Sequence, residues 1–246
     1  MKTNNRLWRW LGLIFVLSFG ALGYLGWQIY LSAPPIPKAV QTVDGDVLFT
    51  GGQVQRGQRA WLSAGGQQLG SVWGHGSYVA PDWSADWLHR EALALQQIRA
   101  AQQGGTAQTL NDDLRAMVDA QVRKEMRRNT YDDTRGVVTV SNERAQAIRQ
   151  VAAHYEGLFG SEASLATLRE QYAMTTGALP EAADRRALSA FFFWSAWSAA
   201  TDRPDELGVS YTSNWPHEPL VGNHMTNSAA MWSMVSVILL LAGIAA

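Results

Sequence analysis

Two long apolar runs bracket this chain. From Trp10 to Pro37 there is no charged residue, and Leu11 to Ile29 is almost entirely apolar. The last sixteen residues, Met231 to Ala246, again carry no charge. A helix that crosses a bilayer needs ~20 apolar residues. The first run therefore predicts a spanning helix, and the second predicts the opening of another. Trp8 and Trp10 stand at the start of the first run, Trp27 and Tyr30 at its finish, as aromatic anchors at two interfaces. Lys2, Arg6 and Arg9 precede it, which places the N-terminus in the cytoplasm by the positive-inside rule. A cleaved signal peptide would have an apolar core of only ~7–15 residues ending at a small-residue site. Leu31-Ser32-Ala33 matches such a site poorly. The second run ends with no polar anchor, so the chain is expected to be the front piece of a longer membrane protein.

Between the runs, the pattern divides the chain into an anchor (residues 1–32), an extracytoplasmic domain (33–225) and the beginning of a second span (226–246). Ala33-Pro-Pro-Ile-Pro37 reads as a stiff, extended spacer. The glycine-rich stretch from Gly51 to Gly76 has little periodicity and reads as loops with room for a short hairpin. Helical spacing dominates afterwards. Leu88, Ala92, Leu95 and Ile98 share one face of a helix capped by Ser84 and ended at Gly104-Gly105. Leu110, Leu114, Met117, Val122 and Met126 mark a second helix. Val137–Val140 is a short β-like run. Ser141 or Asn142 caps a third helix with Ile148, Val151, Tyr155 and Leu158 inward, stopped by Gly160. Leu165, Leu168 and Tyr172 suggest a fourth. Pro180 opens a fifth, which becomes Phe191-Phe-Phe-Trp-Ser-Ala-Trp197 and ends before Pro204. The fold class is mainly α.

Composition narrows the chemistry. With no cysteine there is no disulfide, no thiolate metal site and no thioether-attached haem. The 20 basic and 21 acidic residues nearly balance, so nothing points to nucleic acid. The glycines lack a following lysine-serine or lysine-threonine pair and a strand-loop-helix frame, which argues against phosphate binding. His75, His89 and His154 have no metal-ligand spacing. His217-Glu218 with His224 is not the zinc motif, because the second histidine comes seven residues after the first rather than four. Asp82 and Asp86 are explained by capping at least as well as by catalysis. The aromatic run from Phe191 to Trp197 could line a quinone pocket, but such runs are more often core or interface.

Three long blocks strongly resemble the quinol-dependent nitric oxide reductases. They are Trp61 to Glu91, Phe191 to Ala200, and Tyr211-Thr-Ser-Asn-Trp-Pro-His-Glu-Pro-Leu-Val-Gly-Asn223. The resemblance implies a polypeptide whose front part looks like the membrane-anchored cytochrome c subunit of related enzymes. Its rear part would be a twelve-helix catalytic unit with haem b, haem b3 and non-haem iron, reducing two nitric oxide molecules to nitrous oxide and water with electrons from quinol. Membrane lipid, that catalytic unit and quinol are the implied partners. This chain would supply the front part and no catalytic, cofactor-binding or metal residue.

The resemblance contains its own departure. Gly74-His-Gly-Ser-Tyr-Val-Ala-Pro81 looks like the stretch that follows the Cys-x-x-Cys-His haem motif in the cytochrome subunit. Counting back, Gly66, Leu69 and Gly70 fall where the two cysteines and the histidine would be. Haem c needs two thiols and an imidazole, so the domain is expected to keep a cytochrome c shape without haem and to fill the vacated pocket with aromatic side chains. The competing reading is an independent membrane-anchored periplasmic binding or sensor domain.

Overall fold

A computed structural model describes residues 5–245. Lys2, one of the basic residues before the first apolar run, and Ala246, the last residue of the second, lie outside the described residues. The chain divides into two compact units between Pro35 and Ile36. The first is one helix, α1 (Asn5–Leu31), with no buried residue. Arg6 and Arg9 sit in its opening turns. It is long and apolar enough to cross a membrane.

The second unit is mainly helical. It starts with a hairpin of β1 (Ala39–Thr42) and β2 (Val47–Thr50), followed by α2 (Gly51–Ser63), a 3-10 turn (Gly66–Leu69) and α3 (Trp83–Gln102). Then come α4 (Asp112–Arg127), β3 (Tyr131–Asp132), β4 (Val137–Val140) and α5 (Asn142–Leu158). The short α6 (Ala166–Gln171) precedes α7 (Ala182–Ala200), the small hairpin β5 (Asp202–Arg203) and β6 (Glu206–Ser210), and α8 (Asn227–Ala245). Like α1, α8 is long and apolar enough to cross a membrane and has no buried residue. The four-stranded sheet runs β2-β1-β4-β3, with β1 parallel to β4 in the register Val40 to Val138. Of its strands only Val137–Val140 was legible as β; the others are no longer than four residues.

The glycine-rich stretch departs most from expectation. Gly51–Ser63 is a helix, not loops. Thr50 and Gln53 form a reciprocal cap: Gln53 N–H donates to Thr50 Oγ1, and Thr50 N–H donates to Gln53 Oε1 at 2.9 Å. Val54, Gly57, Ala60 and Trp61 then share the buried face. Gly57 is there for its missing side chain. A Cβ at that position would lie 2.0 Å from Ala187 O and 2.7 Å from Phe191 Cβ, so glycine lets α2 press directly onto α7.

Smaller corrections concern caps and faces. The cap of α3 is Asp82, whose Oδ1 accepts from Ala85 N–H at 3.0 Å, and Ser84 lies inside the helix. In α4 the inward residue is Val118; Met117 is partly exposed. Ser141 caps α5, accepting from Arg144 N–H at 3.0 Å.

α3, α5 and α7 meet in an aromatic core. Trp83, Trp87, Tyr155, Phe159, Phe192 and Phe193 are all essentially inaccessible to solvent. The run from Phe191 to Trp197 is therefore core for the most part, with Trp194 only partly buried. Trp87 lies flat on Tyr155, with ring centroids 5.2 Å apart. Trp87 Nε1–H donates to Glu91 Oε2 at 2.8 Å, and Arg144 Nε–H donates to Glu91 Oε1 at 2.7 Å. Tyr155 O–H donates to Asp86 Oδ2 at 2.6 Å, and Arg90 Nε–H donates to the same oxygen at 2.8 Å.

Burial first, and then the Asp86 carboxylate it faces, hold the Tyr155 hydroxyl well above the ordinary tyrosine value of 10.0. A raised folded value means that this contribution to stability is complete below pH 10 and is lost as pH rises further. Tyr155→Phe should therefore weaken the fold at neutral pH by about 1.5–3 kcal/mol, the worth of a hydrogen bond to a charged group. Above pH 10 the variant's stability should fall less steeply than wild type. Denaturant unfolding as a function of pH checks this; parallel alkaline slopes would contradict it.

Candidate functional site

The three sequence blocks that stand out from the rest come together in space. Ser71 and Asp82 pair across the base of a loop, with Trp83 N–H donating to Ser71 O at 2.8 Å. Asp82 is the hub. Its Oδ2 accepts from Ser71 Oγ–H at 2.7 Å and from Gly74 N–H at 2.6 Å, and its Oδ1 accepts from Ser84 Oγ–H and Ala85 N–H. Ser71 Oγ in turn accepts from Gly76 N–H at 2.7 Å. The capping reading of Asp82 is thus right, and wider than capping: one carboxylate starts α3 and shapes the loop before it. Asp86 does not cap; it binds Tyr155 and Arg90.

Two tryptophans, Trp73 of the loop itself and Trp215 from the third block, clamp this loop to the other blocks. Trp73 Nε1–H donates to Ser195 O of α7 at 2.8 Å, and its ring lies 5.2 Å from that of Trp194. Trp215 Nε1–H donates to Gly74 O at 3.0 Å, and its ring meets the edge of His75 at 4.9 Å. Between the clamps the tip is open: Tyr78 is fully exposed.

The segment after α7 has its own knot. Arg127 Nη1–H donates to Asn223 Oδ1 at 2.9 Å, while Nη2–H donates to Asp202 Oδ1 at 2.6 Å and Asn214 Oδ1 at 3.1 Å. Asn223 Nδ2–H donates to Ala199 O and Pro216 O at 2.8 and 3.1 Å. His89 Nδ1–H donates to the buried Glu218 carboxylate at 2.8 Å. This holds Trp215-Pro216-His217-Glu218, joined by a cis Trp215–Pro216 bond, against α3, α4 and α7.

His217 and His224 lie with ring centroids 5.0 Å apart, both exposed. Among the described residues no three histidine or carboxylate side chains converge as a metal site. His154 stands apart on α5. Burial first and then the nearby Arg90 charge lower its basicity below the usual 6.5.

Gly66, Leu69 and Gly70 sit on the 3-10 turn and its exit. Gly66 is buried, and Leu69 packs on the core. At Gly70 the backbone has φ +116, and a Cβ there would stand 2.4 Å from Trp83 Nε1 and 2.6 Å from both Trp83 Cε2 and Pro81 O. No side chain fits at that position. The neighbouring volume is occupied by the Trp83 indole, which stacks on Phe192 at 5.5 Å. It also meets Tyr155, Phe159 and Tyr172 edge-on at 6.0, 5.4 and 5.9 Å. The residues present do not fit a haem c: there is no cysteine to bond it, and at Gly70, where the resemblance would put the iron ligand, an indole closes the space.

The family model for the cytochrome c-like domain of the NorB nitric oxide reductases matches residues 37–217, well over half of the chain. The chain belongs to that family. No curated protein matches it. The matched span covers everything from β1 to the Trp215-Pro216-His217 joint, so the Asp82 hub, both tryptophan clamps and the Trp83 packing are all features of a nitric oxide reductase cytochrome c-like domain.

The sequence singled out Gly66, Leu69 and Gly70 but not the aromatic beside them. The signal that points to Trp83 is Gly70, because a buried glycine marks a spot where another group comes close.

Gly70→Ala should cost about 2–5 kcal/mol, combining a strained φ with an overpacked contact. Gly104→Ala is the control. Gly104 also has positive φ, +81, but open space around its Cβ position. Chemical denaturation of the two variants isolates the indole contact, and equal losses would show that it carries nothing.

Proposed function

We propose that this chain is the N-terminal structural portion of a quinol-oxidising nitric oxide reductase. On this reading it is a membrane-anchored cytochrome c-like module that carries no haem and transfers no electrons. The single observation that carries the reading is the Trp83 indole set against Gly70. A domain that relayed electrons would keep the ligand and the cavity; the packed aromatic rings beside Gly70 support the loss of both. The absence of cysteine supports the same reading, since covalent attachment needs thiols.

The module's work is then mechanical. Helix α1 would hold it at the membrane with its N-terminus in the cytoplasm and the domain on the periplasmic face of the inner membrane. Arg6 and Arg9, at the start of α1, support that orientation. The joint from Trp215 to Asn223 leads within a few residues into α8, so force on the domain passes directly to the next span. The open tip at Tyr78 is the natural contact for the catalytic unit: a fully exposed aromatic on a loop held rigid by Asp82 is the type of anchor that interfaces use. Reduction of nitric oxide to nitrous oxide would take place on haem b, haem b3 and non-haem iron in that unit.

The test is made on the complete enzyme. Trp215→Ala removes the clamp on Gly74 and His75 and should lower the enzyme's thermal stability by the amount expected of about 1–3 kcal/mol. The haem b spectrum of the folded molecules should stay unchanged. Coexpression of the chain with haem c attachment machinery should yield no covalently bound haem. A c-type spectrum that survives acid-acetone extraction would overturn the proposal.

A further inference from the structure

A second feature lies on the face made by α4, β4 and the start of α5, away from the Trp83 core. It is a cleft of about 610 Å³, within the ~300–1,000 Å³ of small-molecule sites. Arg99, Lys124, Arg128 and Arg144 line it, against a single carboxylate, Glu125. Two of the cations are already engaged. Arg99 binds Glu125 at 2.7 Å and approaches Glu143 at 3.8 Å; Arg144 binds the buried Glu91 behind the wall at 2.7 Å. Lys124 and Arg128 are exposed and have no carboxylate partner among the described residues. The excess positive charge is therefore theirs.

Two of the lining guanidinium groups are open to solvent: Arg128 is exposed and Arg99 partly so. Guanidinium groups suit carboxylate and phosphate oxygens in particular, because their donors form a planar fork.

We propose that this cleft binds a small organic or inorganic polyanion carrying two or more carboxylate or phosphate groups. Arg128 and the partly exposed Arg99 supply guanidinium donors, and Lys124 adds charge beside them. The site is separate from the haem-equivalent position and does not depend on whether the domain carries haem.

The experiment is calorimetric titration of the detergent-solubilised chain with citrate and with pyrophosphate, at ionic strength held constant with sodium chloride. Saturable binding of at least one is expected. The double variant Lys124→Ala/Arg128→Ala changes only exposed side chains and should bind about tenfold more weakly or worse, the loss of charge-assisted contacts. Its melting temperature without ligand should be unchanged. The control Arg149→Ala/Arg186→Ala removes the same charge elsewhere and should bind as wild type does. No saturable binding of either anion would overturn the proposal. So would undiminished binding by the first double variant, or an equal loss in both, which would mean that net charge alone attracts the anion.

Discussion

An indole and a glycine meet inside this domain, and neither can change without the other. Trp83 can lie where it does only because Gly70 has no side chain, and Gly70 is tolerable only because the space beside it is filled. The indole in turn is the surface on which Phe192 of α7, Tyr155 of α5, Phe159 just after it, and Tyr172 pack. A side chain that begins α3 thus supplies the central plane of the core.

The polar groups hold that plane at a fixed angle. Asp82 immediately precedes Trp83 and gathers donors from Ser71, Gly74, Ser84 and Ala85, so the start of α3 and the loop before it move as one piece. Trp73 and Trp215 tie that piece to α7 and to the joint before α8. The chain of contacts from aromatic core to loop to joint is continuous. Under the proposed function it explains why a domain without redox chemistry would still matter to an enzyme: its rigidity reaches the segment that leads into α8.

Much of the helical frame was legible because burial repeats at helical spacing. α3 and α5 each present an inward face, α7 is buried nearly all round from Ala187 to Ala200 and shows as an aromatic run, and the two apolar runs need only length and composition to be read. Two things were hidden for physical reasons. α2 was masked by its glycines, which usually break helices but here allow contact with Ala187 and Phe191; the Thr50–Gln53 capping pair was the available clue. The β1–β2 hairpin is too short to show alternation, and it gains its pairing from β4, nearly a hundred residues away. For the cap of α3 the sequence offered both Asp82 and Ser84, and it fell to Asp82 because a carboxylate can satisfy several donors at once. As for the site, the resemblance drew attention to Gly66, Leu69 and Gly70, but which aromatic packs beside them is a tertiary fact, set by where α3 begins. The cationic cleft left no sequence signal, since its residues come from separate elements.

The most direct measurement is cavity rescue at Trp83. Trp83→Ala should leave a ring-sized void in the core and cost about 3–5 kcal/mol, as large-to-small core substitutions do. Voids of that kind, lined by apolar rings, take up small aromatic molecules. Indole added to the variant should therefore raise its melting temperature saturably, while leaving wild type unaffected. A Trp83→Ala domain as stable as wild type, or one that indole fails to stabilise selectively, would contradict the account, because it would mean that the indole does not occupy the plane on which the helices pack.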